Sequence, residues 1–310
     1  MIEIRNILCP VDFSPISRRN LRMAVEMANR IGSRIVLHHN LDVRPPGYLS
    51  VSWMWSEDHE SKEEQKAAEV PSRMEELFAE IPAGIDYEAK VSRGPMDTAL
   101  LYLAQELPAD LVIMGTHGRS SADHDSLTER VIIESPCSVM TIGEEYQPEE
   151  VFDAEHTMAL EAMKFLVPVD FSSRSRKVLD FAFAVGESMP HSVDLLYIVK
   201  EGKGAQDSAQ RDREVEAIRR RLEGMVPESL VERATVHVRV GDPVEEILKT
   251  ADEIDALCIV MGSHGKSMLK RFLFGTTTMS ILHRAKCPVW FVSEAVQKKL
   301  ARSRFEALDS

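Results

Sequence analysis

Gly262-Ser263-His264-Gly265 follows Met261, and Gly275-Thr276-Thr277 comes nine residues later. Glycine lets a backbone turn sharply and approach a phosphate closely. The periodicity after this loop predicts a helix over Thr278 to Arg284, and a helix start offers unpaired N–H groups at a positive dipole end. Thr276 and Thr277 add hydroxyl donors, while Lys266 and Arg271 bring positive charge into the loop. Upstream, Pro168-Val169-Asp170 closes an apolar run. The Asp170 carboxylate suits ribose hydroxyls, and backbone groups near Val169 suit a flat base such as adenine. Together these residues could hold a nucleotide.

The same pieces occur earlier in the chain. Pro10-Val11-Asp12-Phe13-Ser14 recurs as Pro168-Val169-Asp170-Phe171-Ser172, a shift of 170 − 12 = 158. Met114-Gly115-Thr116-His117-Gly118 recurs as Met261 to Gly265, a shift of 262 − 115 = 147. Cys137 matches Cys287, a shift of 287 − 137 = 150. The order never changes, so the chain is a domain duplication whose length differences belong in loops. The first copy departs at its glycine loop. Only six residues separate Gly118 from Asp125-Ser126, and Asp125 takes the place of Gly275. A carboxylate there repels phosphate. Asp12, Gly115, Gly118 and Ser126 remain as a partial first-copy set.

Apolar runs alternate with amphipathic segments in both copies. In the first, strands are expected at Ile4–Val11, Arg34–Leu41, Asp86–Val91, Leu111–Met114 and Ser138–Ile142. Helices are expected from Ser14 or Ser17 to Gly32, over Lys62–Glu80, over Met96–Leu107 and over Leu127–Glu134. Alternation of this kind predicts an α/β fold of two tandem doubly wound parallel-sheet domains. Such sheets bind ligands at the carboxyl ends of their strands, where strand order reverses. The expected boundaries are 1–143 for the first domain, 144–161 for a linker, 162–294 for the second domain and 295–310 for a tail. The linker, Glu144 to Glu161, carries seven acids and no Lys or Arg.

The pattern G-x2-G-x9-G-[ST] after an apolar strand, with Pro-x-Asp ending the first strand, resembles the ATP-binding universal stress proteins. Gly241-Asp242-Pro243 before the next helix fits as well, and the resemblance covers nearly all of both copies. It implies a five-stranded sheet in 3-2-1-4-5 order, of the adenine-nucleotide α-hydrolase-like kind. It also implies ATP or another adenine nucleotide as ligand, with Mg an optional companion, and a stress-response role. By the same resemblance Asp170 contacts the ligand, Ile198 lies near the base, and Met261 and Gly262 line the pocket. Gly265, Gly275, Thr276 and Thr277 would hold phosphate. His264 stands in the glycine loop either as a pocket residue or as loop packing, and Lys266 beside it could neutralise charge.

Other readings stay open. One is a nucleotide-independent interaction module; another is a weak nucleotide hydrolase, although no Walker A pattern and no Ser-His-Asp arrangement stands out. Asp123-His124-Asp125 has metal-ligand residue types, but adjacent residues point apart, and no metal is assigned. Trp53 and Trp55 sit in an extra stretch, Asp42 to Glu60, that either packs on its own domain or meets a partner. A net charge of −13 argues against a nucleic-acid partner. No apolar run reaches membrane-spanning length. Four cysteines without a CxxC pair read as buried thiols in a reducing compartment, the cytoplasm. The two copies are expected to pair within the chain through their last strands, with unknown protein partners beyond.

Overall fold

The computed structural model describes residues 3–41, 57–116, 124–146, 164–188, 191–200, 208–263 and 275–297. The chain divides into two compact units, Ile4–Pro136 and Met1–Glu3 with Cys137–Ser310.

The unit Ile4–Pro136 carries β1 (Asn6–Pro10), α1 (Pro15–Ile31), β2 (Arg34–Leu41), α2 (Glu57–Phe78), β3 (Tyr87–Arg93), α3 (Met96–Glu106), β4 (Leu111–Gly115) and α4 (His124–Glu134). Its strands lie in the order β3-β2-β1-β4, and every pair is parallel. Strands β1 and β4 are almost wholly buried, as continuous apolar runs covered on both faces should be. Strand β3 alternates exposed and half-buried residues. Helix α1 begins where Ser14 accepts from the Ser17 N–H and Pro15 presets the first turn. It ends at Gly32, whose φ of 71° is left-handed and whose N–H bonds Ala28 O.

The other unit holds β5 (Ser138–Ile142), β6 (Lys164–Pro168), α5 (Ser173–Ser188), β7 (Ser192–Val199), α6 (Ser208–Glu223), a 3-10 turn (Glu228–Arg233), β8 (Ala234–Val240), α7 (Pro243–Glu253), β9 (Ala256–Gly262), α8 (Thr276–Arg284) and β10 (Val289–Val292). The order is β5-β10-β9-β6-β7-β8. The strands of the second sequence copy thus run 3-2-1-4-5, all parallel. Strand β5 comes from the first sequence copy yet lies in this unit. It pairs antiparallel with β10, Thr141 opposite Val289 and Val139 opposite Phe291.

Helix starts differ modestly from the sequence expectation. Helix α8 opens at Thr276, so Thr276 and Thr277 lie inside its first turn rather than before it. Helix α4 opens at His124, ahead of the apolar run that suggested Leu127. Cys9, Cys137 and Cys258 are buried and all four cysteines are free; burial pushes the Cys9 thiol up to about 12. Among the described residues no helix is long and apolar enough to cross a membrane.

Trp290 on β10 anchors the second unit's core. It is 2% exposed and meets Phe181 edge-on at 5.4 Å and Phe165 edge-on at 6.2 Å between centroids. Its indole N–H has no hydrogen-bond partner among the described residues. Trp290→Ala should therefore destabilise this unit by about 3–5 kcal/mol, while Trp290→Phe costs much less because no polar bond is broken. Urea denaturation followed by circular dichroism measures both.

Candidate functional site

Where β6 ends, a short bonded turn fixes the chain. The Val169 N–H continues the ladder to Leu196 O at 2.8 Å. Asp170 Oδ1 then accepts from the Ser172 N–H at 2.9 Å. Ser172 Oγ in turn accepts from the Ser175 N–H at 3.1 Å and starts α5. Beside β6, β7 delivers Tyr197, Ile198 and Val199 at its carboxyl end, and β9 on the other flank delivers Met261 and Gly262.

Helix α8 supplies the fourth wall. Gly275 is its N-cap, extended at φ −66° and ψ 142°, and among the described residues it makes no side-chain cap bond to the first-turn N–H groups. A helix start without a side-chain cap leaves donors for a ligand. Helix α7 begins with Asp242, whose carboxylate accepts from the N–H groups of Val244 at 2.9 Å and Glu245 at 3.2 Å. Its neighbours Pro243 and Ile247 face the same space. Arg284 at the end of α8 grips Glu245 through both carboxylate oxygens at 2.8 and 3.0 Å. The hydrogen bonds from Arg284 hold the Glu245 carboxyl below its ordinary value.

These elements enclose a cleft of about 590 Å³, within the size range of small-molecule sites. Pro168, Val169, Asp170, Ile198, Met261, Gly262, Gly275, Thr276 and Thr277 all line it. His264, Gly265, Lys266 and Arg271 lie outside the described residues. The cleft also has lining residues that the motifs did not announce. Ser172 and Ser175 line it from the α5 cap, and Tyr197 precedes Ile198 on β7. Arg174, Lys200 and Glu214 bring charge to its exposed edge. The Ser172-x-x-Ser175 spacing was a readable cap signal; Glu214, from mid-helix α6, carries none.

The first sequence copy repeats the turn at β1. Val11 N–H bonds His38 O at 2.8 Å, and Asp12 Oδ1 accepts from the Ser14 N–H at 2.9 Å. The β1–β2 and β6–β7 registers match, since 164 − 6 and 192 − 34 both equal 158. His39 and Asn40 therefore stand where Tyr197 and Ile198 stand. Their polar groups are engaged internally. Asn40 Nδ2 donates to Gly94 O at 2.8 Å, and Ser92 Oγ donates to Asn40 Oδ1 at 2.7 Å. With that proton committed, His38 Nε2 donates to Ser92 Oγ at 2.7 Å. His39 Nδ1 donates to Val11 O at 2.7 Å. Gly115 ends β4. Gly118, His117 and Asp123 lie outside the described residues, as do Trp53, Trp55 and most of the linker. Ser126 and Asp125 belong to α4, but their side chains are not described. Among the described residues no cluster of three or more His, Cys, Asp or Glu could hold a metal ion.

The pattern of one protein family, described as the universal stress protein family, matches residues 3–143 and again 162–293. The chain belongs to that family. A universal stress protein of Methanothermobacter thermautotrophicus is 42% identical over 55 residues, 18% of this chain and 37% of that relative's length. One from Methanocaldococcus jannaschii is 27% identical over 159 residues, which cover 44% of this chain and 97% of the relative. The solved structure of a universal stress protein from Archaeoglobus fulgidus superposes with a TM-score of 0.61 at 20% identity, covering 94% of this chain and 97% of that one. The last comparison speaks for the fold alone. The two matched spans make this a tandem universal stress protein.

His38 in the first unit has a measurable consequence. Burial, then the charge of His39, lowers its pKa from 6.5 to about 4. The unfolded chain therefore binds a proton that the folded chain refuses. Stability should be fully present above pH 6.5 and should fall as pH drops towards 4, by up to roughly 3 kcal/mol from this group. His38→Leu, which installs the second copy's residue at this place, should flatten that acid limb in urea denaturation series run across the window.

Proposed function

We propose that the chain is an adenine-nucleotide-binding regulator of stress responses, with the nucleotide held chiefly in the second unit. The observation that carries this reading is the start of α8, where the N-cap is a glycine with no side chain to offer, lining the same cleft as Asp170. The N–H groups of the first turn suit phosphate, the Asp170 carboxylate suits ribose hydroxyls, and Ile198 with Ile247 suits a base. By their places in the sequence motif, Gly265 and Lys266 are proposed as further phosphate partners, and His264 as a pocket residue. Signalling would act through occupancy, with ATP or a related nucleotide changing a surface that partners read.

A specific observation favours a second reading for the first unit. Asn40 and His39 bond their own backbone and side-chain neighbours at the place a base would occupy. The first unit then serves as an interaction module, and its partial set of Asp12, Gly115, Gly118 and Ser126 holds no nucleotide. The antiparallel β5–β10 ladder supports the two copies forming an internal pair through their last strands.

Titration calorimetry with ATP on the intact chain and on Gly275→Asp tests the placement. Aspartate is a preferred N-cap, so the variant should fold. Its carboxylate would fill the donors and repel phosphate by about 4 kcal/mol for unit charges 4 Å apart, weakening binding by two to three powers of ten. The expected result is one site in the intact protein and none in the variant. A site surviving in Gly275→Asp would move nucleotide to the first unit, and an intact chain that binds none would leave the interaction module for both.

A further inference from the structure

Phe171, directly after Asp170, has φ 57°. This is the left-handed region, which a bulky L-residue rarely enters and keeps only when its surroundings hold it there. The surroundings are visible. Tyr197 stacks on the Phe171 ring at 4.7 Å and 28° between planes. The Arg221 guanidinium lies over the same ring at 3.9 Å. Tyr197 comes from β7 and Arg221 from α6, so two separate elements clasp one ring.

The clasp has a consequence for the carboxylate beside it. The positive φ turns the backbone so that the Ser172 N–H reaches back to Asp170 Oδ1 at 2.9 Å. If Phe171 relaxed to an ordinary φ, that N–H would swing away and the carboxylate would lose this hydrogen bond. The first unit repeats the device with changed parts. Phe13 has φ 62°, His39 lies 4.5 Å from its ring, Arg73 sits 4.3 Å above it, and the Ser14 N–H bonds Asp12 Oδ1 at 2.9 Å.

We infer that Phe171 is a positioning residue: clasped by Tyr197 and Arg221, it aims the Asp170 carboxylate and so gives the second unit its preference for ribonucleotides over deoxyribonucleotides. This rests on the nucleotide reading given above. Phe171 itself need not touch the ligand.

Affinities for ATP, 2′-deoxy-ATP and 3′-deoxy-ATP, measured by calorimetry on the intact chain and three variants, decide the matter. The intact chain should prefer ATP over at least one deoxy analogue by about tenfold or more, the scale of a hydrogen bond to a charged group. Phe171→Ala should bring ATP down to the level of that analogue while leaving the analogue's own affinity nearly unchanged. Phe171→Gly should keep the preference, because glycine takes the positive φ without a clasp. Arg221→Ala, at an exposed position that leaves the fold intact, should erode the preference part of the way. Equal losses for ATP and both analogues in Phe171→Ala would show a merely structural role and overturn the inference. A full preference retained in Phe171→Ala, or none in the intact chain, would overturn it too. An intact chain that binds no nucleotide would instead bring down the nucleotide reading itself, and this inference with it.

Discussion

Strand β6 is hydrogen-bonded to β7 on one side and to β9 on the other, and all three run parallel. The chain leaving β6 must cross towards β7, while the chain leaving β9 must cross the opposite way towards β10. Crossovers of one hand then lie on opposite faces of the sheet. The helices α5 and α8 consequently start apart, and a gap opens above the ends of β6 and β9. The cleft, its floor at Asp170 and its wall at the start of α8 all follow from that divergence.

Within this frame the two sequence copies share their scaffold and differ in what faces the gap. The Asp turn, the strained phenylalanine and the arginine above it recur in both. At the end of the second strand, however, Tyr197 and Ile198 in one copy are His39 and Asn40 in the other. An isoleucine there leaves an apolar wall that some other group must cover. An asparagine bonded to Gly94 and Ser92 already has its partners. Duplication thus kept the costly geometry and changed the cheap side chains.

The fold was legible because parallel strands buried on both faces leave continuous apolar runs, and because the repeat made each assignment twice. Ser14 and Asp242 declared their helices by capping chemistry that acts over three residues. Of the candidate site, the residues in spaced glycine and Pro-x-Asp patterns were readable for the same local reason. Tyr197 and Glu214 were not, since nothing in their neighbourhoods marks them; only the register of β7 against β6 and the packing of α6 bring them to the cleft. The positive φ of Phe171 was equally silent. A glycine at that place would have advertised it, whereas phenylalanine hides it.

Strand β5 pairs with β10 although it belongs to the other sequence copy. Without it, β10, with Trp290 and Phe291 at its centre, would present a short row of unsatisfied N–H and C=O groups. Open strand edges of that kind are templates for further pairing. The polypeptide therefore carries its own edge cover in its first half. A genetic cut placed at the repeat boundary would separate the two, and the freed second half would seek the missing strand from whatever chain was nearest, including another copy of itself.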